Sequence, residues 1–384
     1  MTVTRLVAIS DFCTRVPPLP SADPVQNPGK ASRRSGRAVT VRGGYLERLP
    51  LAALHAGLVE TAEVWSFAGT DEDTCGLTKS PYGIDLRQFR AEGHGAPYGS
   101  RQMEAHLHLH GAPEILCVWG LGVTEEILDL CRDSILIYNS LDVDALRIPP
   151  QISRHFDIFL CGSAAQIVEV RCRHPEALTA ILPIGPEFAS PETFCPTGAE
   201  KSVDVIYVAA AQAYKRHDIL FDALAASPGK ISALCVMGYG EDAAQLRDRA
   251  QDRRLNVEFV GPPGVTHDEV NRLMNRARIG VVCGENDGAP AILTEYMLAG
   301  LPVLANEALR CGLQYIRPDT GMTAPAHGFA AAIGDMLATL EKFDPRPVVL
   351  KNWSWDHSVN RLADLVQTAR LRRGTLVPRR LGRS

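Results

Sequence analysis

The chain has 384 residues, of which 46% are hydrophobic and 22% are charged, and its formal net charge is −4. This length suffices for two domains with complete cores, and the slight acidity argues against a dedicated nucleic-acid-binding protein, which normally carries a large basic excess. The sequence has neither a run of 18 apolar residues nor a signal-peptide-like start, so we predict a soluble, cytoplasmic protein. The 10 cysteines form no C-x-x-C pairs, which favours buried free thiols over a metal site.

Short apolar segments alternate with helical patterns along the whole chain. In the first half, these segments predict strands at 3–9, 61–67, 114–119, 134–138, 157–161 and 178–182. In the second half, they predict strands at 204–209, 232–237, 257–260, 279–283 and 302–305. Strands that are apolar on both faces and followed by helices indicate parallel sheets covered on both sides. The fold class is therefore α/β, with two doubly wound parallel-sheet domains.

One segment between the two sets of strands is typical of a linker. Residues 185–202 (GPEFASPETFCPTGAEKS) are rich in proline and glycine and show no hydrophobic period. We therefore predict a first domain at 1–190, a second domain at 191–350, and a C-terminal region at 351–384. That last region begins with an amphipathic helix that carries Trp353 and Trp355 near its start.

The end of the chain is strongly basic. Residues 370–384 contain no acidic residue, and we expect this tail to be disordered because it is too polar to bury. The tail could hold the protein against an anionic membrane, or it could simply be a solubilising tail, and the sequence leaves both open. The arginines concerned are Arg370, Arg372, Arg373, Arg379, Arg380 and Arg383.

The most informative segment is 281–306 (VVCGENDGAPAILTEYMLAGLPVLAN). It predicts a buried strand, a loop that carries Asp287, a helix that begins at 288–290 and bears Glu295, and a second strand. Pro290 suits the first turn of a helix, where its missing N–H costs nothing. The free N–H groups of that turn would point toward the end of the strand, where open α/β sheets bind phosphate groups. Both acids can then face one small polar ligand.

This segment resembles the signature of retaining GT-B-type nucleotide-sugar glycosyltransferases, the glycogen-synthase-like and sucrose-synthase-like group (glycosyl transferases group 1). Their pattern is an acid, Gly-Phe-Gly, a second acid eight residues after the first, and an Ala-x-Ala-Gly-x-Pro-Val run. Here Asp287 is the first acid, Glu295 is the second, and 298–303 (LAGLPV) is the continuation. The chain departs from the pattern in having Asp as the first acid and Ala-Pro in place of Phe-Gly.

The resemblance implies a GT-B fold, in which two Rossmann-like domains face each other across a cleft, and it assigns roles to three residues. Lys215 would hold the donor diphosphate as a point charge. Glu295 would accept hydrogen bonds from the ribose hydroxyls, and Asp287 from those of the transferred sugar. The family's arginine five residues before the lysine is absent, since Ala210 occupies its place, and Arg216 is the candidate substitute.

Further residues match the family's binding loops. The predicted donor-binding residues besides Arg216 are Gly238, Gly240, Gly261, Gly288, Ala289, Pro290 and Ile292. The predicted acceptor-binding residues are Arg42, Gly43 and Gly44, a glycine-rich loop before a helix. The family's first-domain histidine has no counterpart. His106, His108 and His110 alternate, so they would share one face if extended, where they could line the cleft, form a metal triad or be merely polar.

The predicted function is transfer of a hexosyl group, with retention, from a nucleotide-diphosphate sugar to an acceptor hydroxyl. The resemblance implies no metal and no cofactor besides this donor substrate. A glycan or lipid-linked acceptor in surface polysaccharide or glycoconjugate assembly is the expected partner, with peripheral contact of the basic tail at the inner membrane face. The alternatives are a GT-B-shaped epimerase or phosphorylase, and a non-catalytic nucleotide-sugar-binding protein.

Overall fold

The computed structural model describes residues 4–13, 45–68, 76–80, 82–93, 95–227 and 231–376. Within this part of the chain, two sheets follow one another. The first contains eight strands: β1 (Arg5–Cys13), β2 (Thr61–Ala68), β3 (Leu77–Lys79), β4 (Asp85–Arg90), β5 (Ile115–Trp119), β6 (Ile135–Asn139), β7 (Ile158–Cys161) and β8 (Leu178–Ile181). The second contains six strands: β9 (Val203–Val208), β10 (Ala233–Val236), β11 (Val257–Val260), β12 (Ala277–Val282), β13 (Val303–Asn306) and β14 (Gly321–Ala324).

Helices connect these strands and cover both faces of each sheet. The helices of the first half are α1 (Arg48–His55), α2 (Arg101–His110), α3 (Glu125–Leu130), α4 (Pro150–Ser153), α5 (Ala164–Arg173) and α6 (Ile184–Glu187). Those of the second half are α7 (His217–Ala226), α8 (Ala243–Asp252), α9 (His267–Asn275), α10 (Ile292–Leu298), α11 (Phe329–Ala338), α12 (Pro345–Asn352) and α13 (Trp355–Leu376). Short 3₁₀ turns lie at Ala213–Lys215, Leu313–Tyr315, Ala326–Gly328 and Leu340–Lys342.

Both sheets have the strand order of doubly wound folds. The first runs β3-β4-β2-β1-β5-β6-β7-β8 and is parallel except for the β3–β4 pair, and the second runs β11-β10-β9-β12-β13-β14 and is parallel throughout. Every residue of β5, β6 and β7 is buried, because side chains on both faces pack under helices. The α/β prediction of two doubly wound parallel sheets is confirmed.

Every strand predicted from the sequence is present, with ends shifted by a few residues. The strands that the sequence did not predict are β3, β4 and β14. Two of them are edge strands, and β4 lies next to an edge. Strands near an edge face water on more sides and lack the continuous apolar run that marks a central parallel strand.

The predicted linker at 185–202 begins as packed structure. Helix α6 and the residues up to Ser190 are buried, and the hydroxyl of Thr294 donates a hydrogen bond of 2.7 Å to the carbonyl of Pro186. Since β8 ends at Ile181 and β9 begins at Val203, the domain limits at 190 and 350 stay predictions. The segment is nevertheless part of the contact between the two halves.

Helix α13 packs against the first half, although it follows the second half in sequence. Its residues Leu362, Val366 and Ala369 join the core between α1 and the first sheet. The expected disorder from residue 370 is wrong up to Leu376, because the helix continues and its arginines find partners. Arg373 donates to both carboxylate oxygens of Asp157, at 2.9 and 2.6 Å. Arg379, Arg380 and Arg383 lie outside the described residues.

Candidate functional site

A cavity of about 470 Å³ lies between the two halves, at the carboxyl ends of β9 and β10. The strand order of the second sheet reverses between β9 and β12, and the crevice at such a switch point is where open α/β sheets bind ligands. Both halves contribute to the wall. The lining residues are Tyr45, Leu141, Val208, Ala209, Ala210, Tyr214, Lys215, Val236, Gly238, Tyr239, Asp287, Ala289, Pro290, Ala291, Ile292 and Glu295.

The structure brings the predicted lysine and the first predicted acid together. Lys215 ends the 3₁₀ turn after β9, and its ammonium donates a hydrogen bond to Oδ2 of Asp287. Burial alone would lower the pKa of Lys215, but the neighbouring Asp287 carboxylate outweighs burial, so this pKa is raised. Lys215 is therefore a fixed positive charge in the cavity wall. Among the described residues that line this cavity, it is the only lysine or arginine.

Glu295 is the fourth residue of α10 and lines the same cavity as Asp287. An arginine from the first half, which the sequence analysis missed, contacts it. Nη2 of Arg48 lies 2.5 Å from Oε1 of Glu295, and both side chains are buried. One feature of the sequence could have identified Arg48: it is a basic residue in the otherwise mainly apolar helix RLPLAALH, shortly after the predicted acceptor loop.

The loop before α10 lies where the sequence placed it, but the helix begins later. Ala289, Pro290 and Ile292 all line the cavity, whereas α10 starts at Ile292 and not at 288–290. Pro290 precedes the N-cap residue Ala291, so it ends the loop and does not form the first turn. With seven residues, α10 is a short helix, and we assign no phosphate-binding role to its N-terminus alone.

Among the predicted donor-binding glycines, only Gly238 lines the cavity. Gly240 and Gly261 have φ angles of +124° and +74°, and a Cβ on either would lie about 2 Å from a backbone carbonyl oxygen. These two glycines are therefore required by the turns themselves. Gly288 packs against the first half, where a Cβ would lie 2.1 Å from the carbonyl carbon of Asp142. A glycine here allows the closest approach between the two halves.

Arg216 does not face the cavity. Its backbone is left-handed, with a φ of +52°, and its guanidinium pairs with Asp218 at 2.9 Å and with Glu285. Ala210, in contrast, lines the cavity, so an alanine occupies the wall where the resembled family has an arginine. The structure therefore gives no support to Arg216 as the substitute for that arginine. The predicted acceptor residues Arg42, Gly43 and Gly44 lie outside the described residues.

The three alternating histidines lie on helix α2 and not on an extended segment, so only His106 and His110 share a face, with ring centroids 4.4 Å apart, and His108 does not. His106 packs against the rings of Trp65 and Phe89, with centroid distances of 5.4 and 5.6 Å. Burial lowers its pKa to about 4, so His106 is neutral at physiological pH. Among the residues that the structure describes, no group of three or more His, Cys, Asp or Glu side chains could hold a metal ion. In the same part of the chain, no helix combines the length and apolarity needed to span a membrane.

Comparison with known proteins defines the class. Residues 192–342 match the family model "Glycosyl transferases group 1". Sucrose-phosphate synthase from Thermosynechococcus elongatus is 17% identical, with a TM-score of 0.65 over 97% of this chain and 99% of that one. HepE from Anabaena, in complex with UDP and glucose, is 13% identical, with a TM-score of 0.66 over 95% of this chain and 100% of that one. The trehalose-6-phosphate synthase OtsA is 13% identical, with a TM-score of 0.61 over 95% and 99%.

These similarities show that the fold is GT-B, with two Rossmann-like domains facing across a cleft. The segment 192–342, which matches the glycosyl transferases group 1 model, includes Lys215, Asp287 and Glu295. No curated protein sequence matches the chain significantly. The resemblance inferred from Asp287 and Glu295 is thus confirmed at the level of the family, while the role of each residue stays a prediction.

Proposed function

We propose that this protein is a retaining glycosyltransferase that moves a hexosyl group from a nucleotide-diphosphate sugar to an acceptor hydroxyl. The observation that carries the proposal is the convergence of Lys215, Asp287 and Glu295 on one cavity at the switch point of the second sheet. All three lie in the segment that matches the group 1 glycosyltransferases. A cavity of about 470 Å³ is within the usual range for sites that enclose a small ligand.

The charges of the wall suit each part of such a donor. Lys215 would hold the diphosphate, because an ammonium has three donors and can bind phosphate oxygens while keeping Asp287 as a partner. Asp287 would accept hydrogen bonds from the hydroxyls of the transferred sugar. Glu295, deeper in the wall, would accept hydrogen bonds from the ribose hydroxyls.

The reaction needs little more than this arrangement. The bond from the anomeric carbon to the diphosphate oxygen breaks, and a bond to the acceptor oxygen forms on the same face of the sugar. The departing diphosphate takes the proton of the acceptor hydroxyl. Negative charge grows on the diphosphate in the transition state, so the fixed charge of Lys215 contributes most at that point. No metal is required by this scheme.

The wider role is part of the same proposal. HepE was solved with UDP and glucose, and the pneumococcal O-GlcNAc transferase GtfA with UDP and GlcNAc, so uridine nucleotides are the first donors to test. We place the reaction in the assembly of a surface polysaccharide or glycoconjugate, with a glycan or lipid-linked acceptor. Non-catalytic binding is the second candidate, because Ala210 removes one cation from the wall.

A panel of nucleotide diphosphates and their sugars, measured by thermal unfolding, tests the proposal. A ligand at a hundred times its dissociation constant should add about 2.7 kcal/mol to the free energy of unfolding. A catalyst should slowly hydrolyse the bound nucleotide sugar, whereas a protein that only binds it should not. Measuring the release of free sugar over time therefore separates catalysis from binding alone. If no nucleotide or nucleotide sugar stabilises the protein, the proposed function is wrong.

A further inference from the structure

Arg48 contacts Glu295 from behind the cavity wall. Glu295 lines the cavity, whereas Arg48 does not and is only 3% exposed. A ligand in the cavity would therefore touch the carboxylate and not the guanidinium. Since α1 belongs to the first half and α10 to the second, this buried ion pair joins the two halves next to the cavity.

Three contacts fix the Arg48 side chain. Besides Glu295, Nη1 donates a hydrogen bond of 3.0 Å to the carbonyl of Gly185, at the start of the segment that connects the halves. The guanidinium also lies over the ring of Phe194, at 5.6 Å from its centroid. A planar guanidinium held at several points has little freedom, so the carboxylate that it binds is also held in one orientation.

The two carboxylate oxygens of Glu295 differ in their contacts. Arg48 occupies Oε1 of Glu295, and Oε2 has no hydrogen-bond partner among the described residues. The positive charge also balances that of Glu295, which would otherwise stand unpaired beside an anionic ligand. A buried carboxylate without a partner is costly, so the pair with Arg48 also stabilises this side chain in the wall.

We propose that Arg48 is a positioning residue that orients Glu295 for recognition of the ribose diol of the nucleotide. Arg48 holds one oxygen of the carboxylate and directs the other oxygen at the sugar. This inference rests on the proposed function, because it takes the ligand of the cavity to be a nucleotide. It assigns to the first half a part in reading the donor, which binds mainly to the second half.

The test compares ribose recognition in wild type and in Arg48→Met. Calorimetric titration measures the affinities for UDP and for 2′,3′-dideoxy-UDP, with the adenine and guanine pairs in parallel. Wild type should bind the ribonucleotide about 10- to 100-fold more tightly than the dideoxy analogue, the range expected for a hydrogen bond to a charged group. In Arg48→Met this ratio should fall by about tenfold or more, because the carboxylate is no longer oriented.

Two further variants separate positioning from folding. Arg48→Lys keeps the positive charge but loses the planar guanidinium with its several donors. Its ratio of ribonucleotide to dideoxynucleotide affinity should therefore lie between those of wild type and Arg48→Met. If Arg48→Met does not fold, Arg48→Lys replaces it in this test. Arg361→Met is the matched control, since Arg361 pairs at 3.4 Å with another buried carboxylate, Glu187, away from the cavity. This control should leave the ratio unchanged.

Several results would overturn the inference. One is an equal loss of affinity for the ribonucleotide and its dideoxy analogue in both Arg48 variants, which indicates a merely structural ion pair. Another is equal binding of the two ligands by wild type, which shows that no group reads the ribose diol. If wild type binds no nucleotide at all, the proposed function fails, and this inference fails with it.

Discussion

The two walls of the cavity differ in what they contribute. The wall from the second half carries the charges that face the ligand, and all three predicted catalytic residues lie there. The described part of the first half lines the cavity with Tyr45 and Leu141, and its Arg48 lies behind Glu295. Under the proposed function, the second half supplies the groups that act on the donor, and the first half holds one of these groups in position.

The ion pairs of the two walls show the same difference. Lys215 and Asp287 come from loops of one sheet, so the pair can form whenever the second half is folded. Arg48 and Glu295 come from different halves, and their pair depends on the close approach that Gly288 permits. We therefore expect the first pair to govern turnover and the second to govern donor recognition.

The largest expected effect is the loss of turnover on removal of the cavity lysine. Lys215→Ala should lower kcat by roughly two to three orders of magnitude, by comparison with the loss of one preorganised oxyanion donor. Turnover of a nucleotide sugar measures it. Arg216→Ala is the matched control, because Arg216 is the next residue but pairs away from the cavity, and it should change kcat only slightly. Equal losses in the two variants would refute this division of roles.

The second effect concerns donor affinity. Glu295→Gln keeps the shape of the side chain but removes the charge, and a hydrogen bond to a charged group contributes about 1.5–3 kcal/mol. Donor affinity should therefore fall by roughly ten- to a hundredfold at unchanged folding. Calorimetric titration of the donor measures the change. Glu285→Gln, in the loop before α10 and paired with Arg216, should bind the donor normally. Unchanged affinity in Glu295→Gln would exclude Glu295 as a donor ligand.

The third effect concerns the free energy of unfolding and involves Glu187, in the segment between the two sheets. Glu187 is buried, accepts hydrogen bonds from Ser358 and Tyr315, and lies 3.4 Å from Arg361. Burial raises its pKa from 4.5 to about 7, and these neighbours only partly oppose the shift. Between these two pH values the folded state keeps a proton that the unfolded state has lost. The free energy of unfolding should therefore decrease as the pH rises through this window, by about 1–3 kcal/mol.

Glu187→Gln should flatten this pH dependence, because the amide does not titrate. Urea unfolding at several pH values between 4.5 and 8 measures the slope. Burial also raises the pKa of Glu47 to about 7, so part of the slope should remain. The exposed Glu192 of the same segment provides a control in Glu192→Gln, whose slope should match wild type. If Glu187→Gln and wild type have parallel curves, Glu187 does not titrate in this window.

The smallest effect concerns the end of the chain, where α13 returns to the first half. A chain that ends at Leu376 should keep the wild-type melting temperature, because it retains the pair of Arg373 with Asp157 and the bond from Arg372 to the carbonyl of Glu176. A chain that ends at Ala369 loses both and should be less stable by about 1 kcal/mol. Thermal unfolding compares them, and equal melting temperatures would mean that these contacts contribute nothing.

The chain that ends at Leu376 also tests the proposed membrane contact. It lacks Arg379, Arg380 and Arg383, and each basic residue near an anionic surface contributes about 1 kcal/mol to binding. If the full chain binds anionic vesicles and the shorter chain does not, the basic tail contacts membranes. If both bind equally at low and physiological salt, the tail has no such role, and a soluble acceptor becomes the better proposal.

The sequence by itself determined the fold class, the central strands and three charged residues that line the cavity, Lys215, Asp287 and Glu295. Central parallel strands are apolar along their whole length, and a strand–loop–helix unit of fixed spacing places Asp287 and Glu295 on one cavity wall. The position of Lys215 was also predictable from local sequence, because this residue ends the turn directly after β9. These features depend on short-range geometry, which a residue pattern records directly.

Only the tertiary structure decided which distant groups meet. The pairing of Arg48 with Glu295 joins residues 247 positions apart, and no local period encodes it. The contact of Gly288 with Asp142 and the orientation of Arg216 away from the cavity likewise depend on how loops pack between the halves. Such contacts form because close packing and the pairing of buried charges select one arrangement of the complete chain.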